Sequence, residues 1–231
     1  MNLKWNWVPT LTLVLCALIT TGLVVRREFA APKAASRQLP TAEPEFIKNW
    51  QSALVRGVKL GSPSAPIQLI EFADFECPYC GSFHGTLRAL RERYPTQVTL
   101  TYVHFPLPMH RFALSASRVA ECAGEQGRFE AMYDQLFDGQ ASLGVKPWSD
   151  YAIAAGVPNL SSFDLCIKKT AIVPRIEEGQ QLGAQLDVKA TPTLIVNGWK
   201  LGRPPSLDEL DAMVKAVLAG KSLVTAMPHK S

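Results

Sequence analysis

Residues Ile70 to Cys80 read Ile-Glu-Phe-Ala-Asp-Phe-Glu-Cys-Pro-Tyr-Cys, and this stretch decides the fold. Its start belongs to a short apolar run, Ile67 to Ala73 (IQLIEFA), which follows a Ser-Pro-Ser-Ala-Pro turn and has the length and composition of a buried strand. From Pro78 to Tyr94 the apolar residues Phe83, Leu87 and Leu90 recur at helical spacing. Strand therefore runs into helix, and two cysteines stand at the junction. Val98 to Phe105 (VTLTYVHF) is a second β-rich run, closed by Pro106 and Pro108, which completes a strand-helix-strand unit.

The junction dictates the chemistry. The first N–H groups of a helix lack partners, so Cys77, at the cap position with Pro78 at the first helical position, is placed to use them. A thiolate there accepts from the N–H of Cys80 and feels the positive helix end, which lowers its pKa from about 8.5 into a range of about 3.5 to 7.5. Cys77 is thus the expected nucleophile. Cys80, nearly one turn on, points inward and is suited to resolving a mixed disulfide. A Cys-x-x-Cys pair is also half of a zinc site, but Cys122 and Cys166 lie far apart in sequence and the four histidines form no ligand-spaced cluster. No metal or other cofactor is expected.

Glu71 stands six residues before Cys77 inside the apolar strand. An unpaired carboxylate there stays protonated through a raised pKa and is placed to shuttle the Cys80 proton; a surface glutamate on an edge strand is the other reading. Asp74 and Glu76 read as solvated loop acids, and His84 as a passive histidine on the helix surface.

Working outward, Glu45 to Arg56 sets Phe46, Ile47, Trp50, Leu54 and Val55 near one face of a helix. From His110 to Lys189 the chain reads as consecutive short amphipathic helices, near 110 to 125, 127 to 138, 149 to 156, 161 to 168 and 172 to 187. Thr193 to Asn197 and Trp199 to Leu201 around Gly198 form a hairpin, and Ser206 caps a last helix ending near Ala219. The segment 30 to 44, rich in Ala, Pro and polar residues, suits a flexible tether, with a tail at 221 to 231. Residues 1 to 29 hold an apolar run from Val8 to Val25, longer than a signal-peptide core and at the lower edge of the length that spans a bilayer. A cut just past it would place Glu28 or Phe29 where a signal peptidase wants small residues, so retention as an anchor is favoured over cleavage, and Cys16 within it is apolar filler. The flanking charges, Lys4 against Arg26, Arg27, Lys33 and Arg37, argue for a cytoplasmic C-terminal side; the cysteine chemistry argues for an oxidising side and is given precedence. A net charge of +4, with basic and acidic residues interleaved, shows no basic stripe for nucleic acid.

The stretch Ile70 to Cys80, followed by Val188-Lys189-Ala190-Thr191-Pro192-Thr193-Leu194-Ile195-Val196-Asn197-Gly198, resembles the DsbA-like branch of the thioredoxin superfamily. The resemblance runs from about Gly57 to Leu218 and includes His104-Phe105-Pro106-Leu107 and Ala120-Glu121-Cys122-Ala123. It implies an α/β fold: a thioredoxin-like sheet with an inserted all-helical subdomain, at about 108 to 188 of a domain spanning 45 to 220, preceded by the N-terminal membrane segment.

By that resemblance Thr191-Pro192 is a cis pair facing the cysteines, and together with Pro78 and Tyr79 it lines the surface where an extended substrate docks through main-chain hydrogen bonds. Glu71 matches the buried acid of the superfamily, and Cys122 and Cys166 match a structural disulfide of some relatives; two buried free thiols is the alternative. The expected function is thiol–disulfide exchange on the extracytoplasmic side. The Cys77–Cys80 disulfide is donated to reduced or misoxidised exported proteins and reset by a membrane redox partner. Tyr79, where the most oxidising relatives carry histidine, adds no positive charge and keeps a tethered reductase or isomerase open. A peptide-binding or chaperone module without turnover is the alternative from another class.

Overall fold

The computed structural model describes residues 43–227. The tether up to 42, the apolar run at 8–25 and the last residues of the tail lie outside them. Among the described residues no helix is long and apolar enough to cross a membrane.

Six strands form one mixed sheet: β1 (Glu45–Phe46), β2 (Val58–Gly61), β3 (Ile67–Ala73), β4 (Val98–His104), β5 (Thr193–Val196) and β6 (Trp199–Lys200), in the spatial order β1-β6-β5-β3-β4-β2. The central pair β3 and β4 is parallel, with Ile67 opposite Val98 and Ala73 opposite His104, and the other pairings are antiparallel. A parallel pair needs a crossover, and here it is α2 (Pro78–Arg93). Between β4 and β5 the chain makes α3 (Ala113–Gly124), α4 (Phe129–Asp138), a 3-10 turn (Gln140–Ser142), α5 (Trp148–Ala154), α6 (Leu160–Ile167) and α7 (Pro174–Gln185). After β6, α8 (Leu207–Leu218) opens with a capping box, in which Ser206 accepts from the Glu209 N–H while Glu209 accepts from the Ser206 N–H.

Side chains alternate across a strand, so β3 feeds both faces of the sheet. Ile67, Leu69 and Ala73 point into the larger core, with α2, α8 and the inserted helices; Ile70 and Phe72 point into a smaller one with Ala53, Val103, Leu182 and Ile195. Glu71 has the parity of the first set, so its carboxyl faces the side that carries the cysteines. Burial on both faces is why β3 reads as an almost unbroken apolar run. Cys122 on α3 and Cys166 on α6 are disulfide-bonded, with their Cα atoms 5.8 Å apart.

Two parts of the first segment differ from the periodicity. Glu45 and Phe46 are a strand, and the helix there, α1, covers only Gln51–Arg56. The Ile47 N–H bonds to the Gly198 carbonyl at 2.8 Å, and the Phe46 ring packs on Trp199 with centroids 5.4 Å apart. Pairing with β6 thus overrides a weak local helical pattern. Strand β2, unread in the sequence, is a short edge strand with one buried residue, Leu60, too little to print an alternating pattern. The β5–β6 hairpin closes through Asn197 (φ 44°) and Gly198 (φ 92°), the Asn-Gly pair that a tight two-residue turn with positive φ selects.

Candidate active site

The β3–α2 junction forms the site. Cys77 has extended backbone (φ −70°, ψ 118°) and precedes Pro78 at the start of α2. Its N–H bonds to the Asp74 carbonyl at 3.1 Å, closing the turn, and its own carbonyl accepts the Gly81 N–H at 3.1 Å. Both thiols are free. Cys77 is 3% exposed and Cys80 fully buried, whereas Tyr79 between them is 74% exposed. From solvent inward the order is therefore Tyr79, Cys77, Cys80.

The Cys77 Sγ stands 3.4 Å from the Thr191 carbonyl, to which it donates in its thiol form, and the Thr191–Pro192 bond is cis. That contact brings together two segments that are 114 residues apart. Pro78 is exposed beside Tyr79, and Pro192 is buried.

The electrostatics separate the two sulfurs. The Cys77 pKa is lowered from 9.0 to about 5, first by the hydrogen bond from Cys80, against the opposing effect of burial, then by the Thr191 side chain and by the N–H groups of Cys80 and Tyr79. The N–H groups of the α2 start rank below the Cys80 thiol among these causes, so the helix end contributes less than the neighbouring thiol. Burial, the hydrogen bond to Cys77 and the Glu71 charge drive Cys80 the other way, far above the ordinary thiol range. At neutral pH one sulfur is a thiolate and its neighbour a thiol.

Glu71 lies on the central strand, fully buried, which removes the edge-strand reading. One carboxyl oxygen accepts from the Tyr133 hydroxyl at 3.4 Å, and the other has no hydrogen-bond partner. Desolvation pushes its pKa up to about 8, with Tyr133 lowering it and Cys77 raising it. A carboxyl titrating near neutrality beside a high-pKa thiol can hold or return a proton.

Three neighbouring residues differ from the sequence reading. Asp74 is fully buried rather than solvated: Oδ1 accepts from the Glu76 N–H at 2.8 Å, and Oδ2 accepts from the Leu107 N–H at 2.8 Å and pairs with His110 Nδ1 at 2.6 Å. Glu76 accepts from the Phe112 N–H. His84 is 3% exposed, bonded to Asp134 at 2.8 Å and stacked on Phe137. Each of the three has a partner remote in sequence, so local polarity misreports them. Gln140, too, carried no sequence signal, yet its Nε2 donates to the Phe75 carbonyl at 2.7 Å and the Cys77 carbonyl at 2.9 Å. Among the described residues no group of three or more His, Cys, Asp or Glu side chains is placed to hold a metal ion.

Comparison with known proteins agrees with this fold. The family model described as thioredoxin matches residues 54–216. The Na(+)/H(+) antiporter NhaA 1 of Mycolicibacterium gilvum (strain PYR-GCK) is 35% identical over 167 residues, 70% of this chain and 26% of that protein. The chain thus spans about a quarter of that curated relative. BdbD from Bacillus subtilis superposes with a TM-score of 0.64 at 18% identity, covering 78% of this chain and 98% of that one. For α-DsbA1 of Wolbachia pipientis the score is 0.58 at 23% identity, over 71% and 94% of the two chains. At these identities the two structures establish the fold.

Proposed function

The chain belongs to the thioredoxin family, with the DsbA-like fold, and from that premise we propose that it is a protein thiol–disulfide oxidoreductase that donates the Cys77–Cys80 disulfide to exported proteins. One observation carries the proposal: two adjacent sulfurs with opposite pKa shifts, the lowered one beside the Thr191 carbonyl and the raised one sealed behind it.

In the donating direction a substrate thiolate attacks Cys77 Sγ. The Cys77–Cys80 bond breaks, a mixed disulfide forms at Cys77, and Cys80 leaves as a thiolate that takes a proton from Glu71. A second substrate thiolate then attacks the substrate sulfur of the mixed disulfide and expels Cys77, whose low pKa makes it a good leaving group. Two electrons pass from the substrate dithiol to the cysteine pair, and a membrane redox partner removes them. Thr191 and Pro192, with Pro78 and Tyr79, present the surface on which an extended substrate lies across Cys77.

An extracytoplasmic location accords with the Cys122–Cys166 disulfide, which persists in oxidising compartments. Residues 1–29 as signal-anchor and 30–44 as tether would hold the domain beside the membrane. Tyr79 supplies no positive charge to the Cys77 thiolate, which favours a reductase or isomerase as the second reading.

The test is capture. A Cys80→Ser variant whose Cys77 is first activated as a mixed disulfide with glutathione is expected to pass to dithiothreitol-sensitive adducts with reduced exported proteins, all joined at Cys77 and with glutathione released, while Cys77→Ser forms none. Exchange activity surviving in Cys77→Ser, or no adduct in Cys80→Ser, would count against the proposal.

A further inference from the structure

We propose that the Gln140 side-chain amide is a positioning residue for the Cys77 nucleophile, a role that the inserted helical subdomain supplies and that Gly81 makes possible. The inference rests on the proposed role of Cys77 above.

The Gln140 Nε2 donates to the carbonyls on either side of Glu76, Phe75 at 2.7 Å and Cys77 at 2.9 Å. A primary amide nitrogen carries two hydrogens, so both are spent on the turn that aims Cys77. The Cys77 carbonyl also accepts the Gly81 N–H at 3.1 Å. Two donors from different parts of the chain therefore converge on the peptide plane between Cys77 and Pro78, which sets how the α2 start presents itself to the sulfur.

Gln140 is itself fixed. It opens the 3-10 turn after α4, and the preceding carbonyl, of Gly139, accepts the Tyr151 hydroxyl at 2.8 Å. On the other side Gly81, directly after Cys80, leaves the space the amide fills: a Cβ there would stand 3.0 Å from Gln140 Cδ and 3.1 Å from Nε2. Any side chain at 81 obliges the amide to move, and the atoms that must give way lie at the end of a flexible side chain, so the helix is spared.

A clamp for packing alone and a clamp that positions the nucleophile differ in the titration of Cys77. Gln140→Leu keeps the bulk and removes both donors; Gln140→Glu keeps the shape and sets a carboxylate against two carbonyls. Thiolate absorbance as a function of pH, in the full chain, is expected to show the Cys77 midpoint raised by about half a unit to one unit in Gln140→Leu, and further in Gln140→Glu. Gly81→Ala is expected to raise it in the same direction, and the Gly81→Ala/Gln140→Leu double variant no further than Gln140→Leu alone.

An unshifted midpoint in folded Gln140→Leu and Gln140→Glu would overturn the inference, as would additive shifts in the double variant. Should the Gln140 variants fail to fold, an unshifted midpoint in Gly81→Ala does the same. The titration reads the thiolate without any substrate, so it is independent of the adduct experiment: loss of adducts in Cys80→Ser with a shifted midpoint here would remove the proposed function and leave the clamp standing.

Discussion

His110 Nδ1 and Asp74 Oδ2 stand 2.6 Å apart, the acid fully buried at the end of β3 and the imidazole on the loop that follows β4. With the Leu107 N–H on the same oxygen and the Glu76 N–H on the other, the carboxylate ties the turn before Cys77 to the loop that leads into the helical insertion. Asp74→Ala orphans these donors, and a buried hydrogen-bonded carboxylate of this kind is worth about 3 kcal/mol. Urea denaturation of the oxidised protein is expected to show a loss of that order, and about 1 kcal/mol for His110→Ala, which removes one contact. A loss under about 0.5 kcal/mol for Asp74→Ala would contradict the role.

Glu71→Gln removes the titrating carboxyl proposed as the proton store for Cys80 while keeping the shape and the Tyr133 contact. The exchange rate with a model thiol is expected to fall by about tenfold or more near neutrality, and the inflection near pH 8 in the wild-type rate profile is expected to vanish. A Glu71→Gln profile that keeps the inflection would assign it to another group.

The two shifted groups pull the pH dependence of stability in opposite directions. Cys77, lowered from 9.0 to about 5, adds stability to the reduced protein that is fully present above its unfolded value and is lost as pH falls through about 5. Glu71, raised from 4.5 to about 8, contributes stability that is present below its unfolded value and lost as pH rises through about 8. Between pH 5 and 8 the slopes offset each other. Reduced Glu71→Gln is therefore expected to gain stability steadily over that window, with the slope abolished by adding Cys77→Ala; denaturant midpoints measured under reductant check the sign.

The Cys122–Cys166 bridge closes a separation of 44 residues, worth about 4 kcal/mol of unfolded-state entropy in the loop model. The Cys122→Ala/Cys166→Ala variant is expected to lose stability on that scale in denaturant titrations, with the Cys77 thiolate titrating where it does in the parent. A moved Cys77 midpoint would show that the bridge also shapes the site.

The relation between sequence and structure differs from residue to residue. Cys77, Cys80 and the strand-helix junction were legible because the cue is local: an apolar run, a proline at the helix start and a three-residue spacing. The Thr191–Pro192 motif was legible by its likeness to a known pattern. Asp74, Glu76, His84 and Gln140 were not, since what defines each is a partner between 33 and 65 residues away, and nothing in their immediate neighbours marks the contact. The same holds for Glu45 and Phe46, where pairing with Lys200 and Trp199 outweighs helical periodicity, and for β2, too short and too exposed to show its period.

The reduction potential of the Cys77–Cys80 pair tests the central claim most directly. A thiolate held near pH 5 stabilises the reduced form and makes the disulfide oxidising; thioredoxin, with a pKa of about 7, lies at about −270 mV and DsbA, at about 3.5, lies at about −120 mV. Interpolation places this pair near about −180 mV. Equilibration in glutathione buffers, with the state of Cys77 and Cys80 read by alkylation, is expected to return a value close to that. A value at or below about −270 mV would contradict disulfide donation and make the protein a reductase.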